Sequence, residues 1–281
     1  MKKIMSIILC LAMAFTMSIA LTGCNNVTYK AVEITGIEVE EYGFAIDKLA
    51  TNKTEVLTAM NEVITELGSE KIMNHLTYHS LVEQGKANEA VVGFEVTEPT
   101  TSTTNGTLVM CTNAEFPPYE YVVGTNNVQG LDVDMMKLVA NKLGMAFSVV
   151  NIDFDSLSAE ITNLEAGKTK VIAAGMTINA ERLLTLDFSN AYMTSIQYMV
   201  CAEDAAFDSL DDLAGKKIGV QLGTTGDFLI DGAIESGVLK DSGATLTSYK
   251  SAALAFAALK AGKIDVVVID EHPAQSLISN Q

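Results

Sequence analysis

Basic residues are scarce. Lysine and arginine number 18 against 35 aspartates and glutamates, a formal net charge of −17 at pH 7. A surface of that sign repels nucleic acid and anionic membrane, which excludes both as binding partners. It leaves a small ligand open, because a pocket can be locally positive. Histidine is scarcer still, with three residues, so acid–base chemistry in a cleft has little to draw on. Of the four cysteines, Cys10 and Cys24 fall in the N-terminal stretch, which leaves Cys111 and Cys201 in apolar, strand-like runs. Both read as buried free thiols, although a disulfide between them is not legible from sequence alone. Long apolar runs are absent after residue 20, so nothing beyond that point is suited to cross a bilayer.

The one long apolar run, residues 4–20, follows Lys2 and Lys3 and ends at Leu21-Thr22-Gly23-Cys24. A basic start, a short apolar centre and small residues make a secretory signal. The run sits at the short edge of a membrane span. Its Leu-x-Gly-Cys ending resembles the lipobox of bacterial lipoproteins, with residues 1–23 removed and Cys24 lipidated. Such a lipid tethers an otherwise soluble domain to the outer face of the cell membrane.

The rest of the 281 residues suffices for one large domain or two lobes. Residues 27–38 alternate apolar and polar side chains and predict a strand, and 42–46 a second short one. Val56, Leu57, Met60, Val63, Ile64 and Leu67 recur at helical spacing. Gly68 breaks that helix, and another starts near Glu70. His75 and His79 stand four apart on it, a spacing that can bind metal. No Glu or Cys nearby in sequence completes a set, so the pair reads as a solvated helix face. Residues 98–106 hold no apolar side chain and read as a linker. Strands then alternate with helices: strands at 108–112, 146–152, 170–174, 195–201, 217–221 and 266–269, helices at 133–143, 156–166, 225–235, 251–261 and 274–279. This alternation predicts an α/β fold with mostly parallel sheets.

A free amino acid carries a carboxylate and an ammonium, and several residues suit them. Arg182 offers the planar fork a carboxylate prefers. Thr224-Thr225-Gly226 opens a helix, with free backbone N–H groups and two hydroxyls. Without a lysine, Gly223-Thr224-Thr225-Gly226 is not a Walker loop. Asp270, ending a buried strand, can face the ammonium. Each has a plainer reading: Arg182 as a surface ion pair, Asp270 as the cap of the next helix, and Phe116 and Phe154 as core.

Six segments, taken in order, carry a resemblance. They are Asn113-Ala114-Glu115-Phe116-Pro117-Pro118-Tyr119; Gly130-Leu131-Asp132; Gly175-Met176-Thr177 running to Arg182; Asp187-Phe188-Ser189; Gly215 to Gly226; and Asp265 to Glu271. Together they resemble the polar amino-acid-binding family of bacterial extracellular solute-binding proteins. The resemblance implies a two-lobed α/β fold of the type II periplasmic-binding-protein kind, with two crossovers. It adds the Gly175 carbonyl and the Thr177 side chain to the site, with Phe116 and Phe154 flanking the ligand side chain and Asn113 and Gln221 as its polar readers. Asn113 stands where some relatives place Asp, which favours a neutral polar ligand. His272 stands where the family more often has Pro.

One feature departs from the family's order. Val39-Glu40-Glu41-Tyr42-Gly43-Phe44-Ala45-Ile46 and the helix after it look like the closing segment of such a protein. Here they precede the opening strand, so the chain reads as a circular permutant, its linker joining the old ends. The expected larger lobe is 39–203 and the smaller 204–281 plus 25–38, with crossovers near 37–41 and 198–203. The resemblance implies a monomeric, lipid-anchored receptor that hands an amino acid to the permease of an ABC importer, with no enzyme activity, cofactor or metal. A dehydratase-like enzyme on the same scaffold, or a sensing receptor domain, is the alternative.

Overall fold

A computed structural model describes residues 27–87, 91–163 and 165–279. The expected signal, with Cys24, lies outside the described residues. The first block supplies β1 (Tyr29–Glu33), β2 (Glu40–Tyr42), β3 (Ala45–Asp47) and α1 (Lys53–Glu83). After the linker come β4 (Thr107–Thr112) and a small meander of β5 (Glu115–Phe116), β6 (Glu120–Val123) and β7 (Asn127–Gln129). Next are α2 (Leu131–Leu143), β8 (Ala146–Asn151), α3 (Leu157–Glu160) and β9 (Lys168–Ile172). β10 (Leu186–Phe188), β11 (Met193–Ser195) and β12 (Gln197–Ala202) lead into β13 (Lys217–Gln221) and α4 (Thr225–Glu235). The chain closes with β14 (Thr245–Tyr249), α5 (Ala252–Lys260), β15 (Val266–Asp270) and α6 (Glu271–Ser279).

Two five-stranded sheets share one plan. The first runs β8-β4-β9-β3-β10 and the second β14-β13-β15-β12-β1. In each, three strands pair in parallel, and the fourth, β3 or β12, is antiparallel to both its neighbours, so the edge strand beyond it runs with the first three. Four of the five strands in each sheet therefore run one way, as expected of mostly parallel sheets, although only half of the pairings are parallel. The antiparallel strands are those that enter a lobe from a crossover, so no helical connection fixes their direction. The central strands β4 and β15 are buried almost throughout, as strands covered on both faces must be.

β3 joins the sheet of β4, while β1 joins that of β15. α1 packs on α2. It is two helices across a break at Gly68, whose φ of 69° and ψ of 161° are not helical. The expected strand 42–46 is two strands: the chain turns at Gly43 from β2, paired with β11, to β3, paired with β10. The β2–β11 ribbon therefore lies between the lobes. β12 belongs wholly to the second sheet, so the second crossover falls at Ile196 rather than 198–203. β12 must fill the place between β1 and β15 that neither can bridge alone. One more expectation is overturned: His75 and His79 are 2% and 4% exposed, buried rather than solvated.

Candidate functional site

The C-terminal ends of the parallel strands of both lobes point into one cleft, where ligands gather in open α/β sheets. Asn113 follows β4, Phe154 follows β8, and Gly175 and Thr177 follow β9. From the other lobe, Gln221 ends β13 and Asp270 ends β15. Thr224 is the N-cap of α4, its hydroxyl accepting from the Asp227 N–H, and Thr225 is the first helical residue. All ten residues singled out in the sequence, with Ala174, line a single cavity with Arg182 on its wall. Its free volume is about 10 Å³, the room of one water. An amino acid enters it only if the lobes part.

The Arg182 Nη1 donates to the Thr177 carbonyl at 2.8 Å and its Nη2 reaches toward the Gly223 carbonyl at 3.4 Å. One contact lies in each lobe. Its guanidinium carbon stands 5.6 Å from the centre of the Phe154 ring. Burial draws the Arg182 pKa below its ordinary value, against the opposing pull of Glu40 and Asp270. The Asp270 Oδ1 accepts from the Tyr42 hydroxyl at 2.5 Å. Burial, reinforced by Glu40, raises the Asp270 carboxyl to about 7. The Gln221 Nε2 donates to the Asn113 Oδ1 at 2.8 Å across the cleft, and the Asn113 Nδ2 donates to the Ile152 carbonyl at 2.9 Å.

Gly175 shows why glycine is needed there. Its φ is +53°, and a Cβ would meet the Phe116 ring at 2.5 Å. Its N–H donates to the Asp132 Oδ2 at 3.0 Å. That buried carboxylate also accepts from the Tyr192 hydroxyl at 2.7 Å, so the glycine loop hangs on a fixed anion. Burial nevertheless raises the Asp132 carboxyl to about 6.

Sequence reasoning missed Glu40 as a site residue. Its Oε2 accepts from the Thr177 hydroxyl at 2.5 Å and the Thr225 hydroxyl at 2.7 Å, and its Oε1 from the Gln197 Nε2 at 2.9 Å. One carboxylate on the crossover strand β2 thereby ties both lobes. The acidic run Glu40-Glu41 next to a crossover was visible, but not which of the two turns inward. The pairing of β2 with β11 decides that. At the rim, Lys250 bridges to Asp153 and Asp155 at 3.1 and 3.2 Å, again across the lobes.

The cleft thus brings together a guanidinium, two threonine hydroxyls at a helix start, the Asp270 and Glu40 carboxylates, an amide pair and two aromatic rings. Residues 108–255 match the model of the bacterial extracellular solute-binding proteins, family 3. The chain is 40% identical over 117 residues to the arginine-binding extracellular protein ArtP of Bacillus subtilis, covering 42% of this chain and 44% of that one. It is 32% identical over 174 residues to a probable histidine-binding protein of Campylobacter jejuni, covering 62% and 63%. Among solved structures, an ancestral arginine-binding protein bound to arginine aligns with a TM-score of 0.56 at 36% identity, over 62% of this chain and 74% of that one. An ancestral arginine-binding protein bound to glutamine aligns at 0.55 and 34%, over 62% and 74%. The chain thus spans 44% and 63% of the length of these two curated relatives.

Proposed function

The chain belongs to family 3 of the bacterial extracellular solute-binding proteins, and from that premise we propose that it captures a free amino acid between its lobes and passes it to the permease of an ABC importer. One observation carries the reading: ten residues scattered from Asn113 to Asp270 surround a single interlobe cavity, with a guanidinium and a carboxylate both on its wall. Arg182 and the start of α4 hold the α-carboxylate. Asp270, the Gly175 carbonyl and Thr177 hold the ammonium, and Glu40 adds negative charge at that end. A ligand that touches both lobes stabilises the closed arrangement over the open one, which is the whole of the mechanism. The β2–β11 ribbon and Ile196 supply the hinge. The scheme needs no cofactor and no positioned acid or base, which fits a receptor rather than an enzyme.

The side-chain end is formed by Asn113, Gln221, Phe116 and Phe154, none of them charged. Glu40 hydrogen-bonds the hydroxyls assigned to the α-groups, so its charge does not serve that end. A polar neutral amino acid fits best, glutamine being the first to test. Arginine is the second reading, favoured by the names of several relatives. A thermal-shift series against the twenty amino acids tests the reading, because a ligand that binds only the folded state raises its apparent stability. Glutamine is expected to give the largest shift; a shift from none of the twenty would overturn the assignment.

Two further parts belong to the same proposal. Cys24 carries the lipid that holds the receptor at the outer face of the cell membrane; a diacylglyceryl mass on the mature N-terminus is the expected finding. The order of elements is a circular permutation, in which 39–98 completes the larger lobe from in front and 98–106 joins the former ends. The placing of β3 beside β9 and of β1 beside β12 supports it, as does a family match confined to 108–255.

A further inference from the structure

The two histidines read from sequence as a solvated pair are turned inward. His75 and His79, four apart on the second half of α1, lie on one helical face, and that face packs on α2. There Asp134 meets them. The two Nε2 atoms are 3.2 Å apart, and each is 3.0 Å from the Asp134 Oδ2. Three ligand atoms thus form a nearly equilateral triangle. A tetrahedral cation with bonds of about 2.0 Å spaces its ligand atoms about 3.3 Å apart, which is nearly this triangle.

The surroundings suit a bound cation. The His79 Nδ1 lies 3.0 Å from the Tyr121 hydroxyl, the kind of outer partner that fixes a metal-binding imidazole with Nε2 facing the ion. Phe94 stacks on His75 with ring centres 3.6 Å apart. Gly93 allows that approach, since a Cβ there would fall 2.0 Å from the His75 Nδ1. Asp134 keeps some exposure, its side chain 18% accessible, so a fourth position can be reached from solvent. As a plain hydrogen-bond network the arrangement is poor: each Nε2–H aimed at the shared oxygen brings two like dipoles within 3.2 Å. A cation replaces both protons and reverses the sign of that contact. None of the three residues lines the Arg182 cavity.

We propose that His75, His79 and Asp134 bind a late first-row divalent cation, zinc above all, with one position left for water. Two nitrogens and one carboxylate oxygen match zinc and disfavour calcium and magnesium, which take oxygen ligands. The ion would clip α1 to α2, joining the block before the linker to the block after it. Its role is to hold the larger lobe together, not to act on the amino acid.

The test uses the full mature chain, stripped with a chelator and dialysed. Zinc titration by calorimetry should show one equivalent bound and a rise in Tm, and cobalt should give the visible absorption of a tetrahedral site. His75→Gln and His79→Gln should lose both signals, while His272→Gln keeps them. Tyr121→Phe should weaken zinc binding by about 10–100-fold. Asp134→Asn is nearly isosteric, so it remains informative if the histidine variants fold poorly. It should cut zinc affinity at least tenfold. Zinc binding by Asp134→Asn as tight as in the unaltered chain, or uptake of less than one equivalent by the unaltered chain at micromolar zinc, overturns the site.

Discussion

At the scale of single residues, the cavity asks most of Arg182 and Asp270. Arg182 reaches carbonyls of both lobes and is the cation on the cavity wall. Arg182→Ala should cost binding about 2–5 kcal/mol, the usual loss when one partner of a desolvated charge pair is removed. Calorimetry would read this as affinity beyond detection, with the melting temperature nearly kept; unchanged affinity would remove Arg182 from the site. Asp270 makes binding depend on pH. Its carboxyl is raised by burial and by Glu40 to about 7, so below that pH it is neutral in the free protein. An ammonium ligand prefers the ionised form. Affinity should therefore fall as pH drops below about 7, by up to tenfold per unit, and level off above it. Protons should be released on binding near pH 6, detectable as a heat that varies with the buffer. Asp270→Asn should flatten the profile.

At the scale of elements, α1 is the informative case. Its first half buries Val56, Ala59, Met60 and Val63, and its second half Ile72, His75, Leu76 and His79. In one straight helix of 3.6 residues per turn the second set would lie about 160° around the axis from the first; the break at Gly68 turns it back toward the same lobe. The backbone there, at φ 69° and ψ 161°, is open almost only to glycine. A Cβ at Gly68 would touch nothing within 4 Å, so any cost is conformational. Gly68→Ala should lower stability by about 1–3 kcal/mol, even though alanine is the better helix former. Urea unfolding measures it, and equal or higher stability would mean that α1 tolerates straightening. The helices that begin beside the site are simpler. Thr224 and Ser251 cap α4 and α5 through their own hydroxyls, and both starts were readable from residue type.

At the scale of the whole molecule, the two sheets with one plan are held by contacts of few kinds. Two crossovers connect them, Glu40 ties their hydroxyls, Asn113 meets Gln221, and Lys250 bridges to Asp153 and Asp155. The rim bridges are exposed and worth little, so the buried bonds of Glu40, Arg182, Asn113 and Gln221 are the main ones that opening must exchange for water. Cleavage within 99–105 bears on the order of the elements. If that segment only joins former ends, the nicked protein should stay one particle on a sizing column and still bind its ligand. The fragment 27–98 carries β1, β3 and α1, whose apolar faces are buried in the two lobes. Separation of the fragments in native buffer would instead mark 25–98 as an independent module.

Much of this was set by local rules that a sequence carries openly. The apolar runs 108–112 and 266–269 had to be buried strands, Gly68 had to interrupt a helix, and the family's six segments stood in order with their site residues in them. Rules of that kind act over a few residues; they marked Arg182, Thr224, Thr225 and Asp270, and the family resemblance supplied the other six cavity residues. What remained unreadable depends on partners distant in the chain. The reversed direction of β3 and β12, the move of β12 to the second lobe, and the inward turn of Glu40 follow from which strand lies alongside, and no local spacing encodes that. His75 and His79 show it most plainly. Their own neighbours offer no third ligand, and only the docking of α1 on α2 brings Asp134, 55 residues beyond His79, to the same point in space.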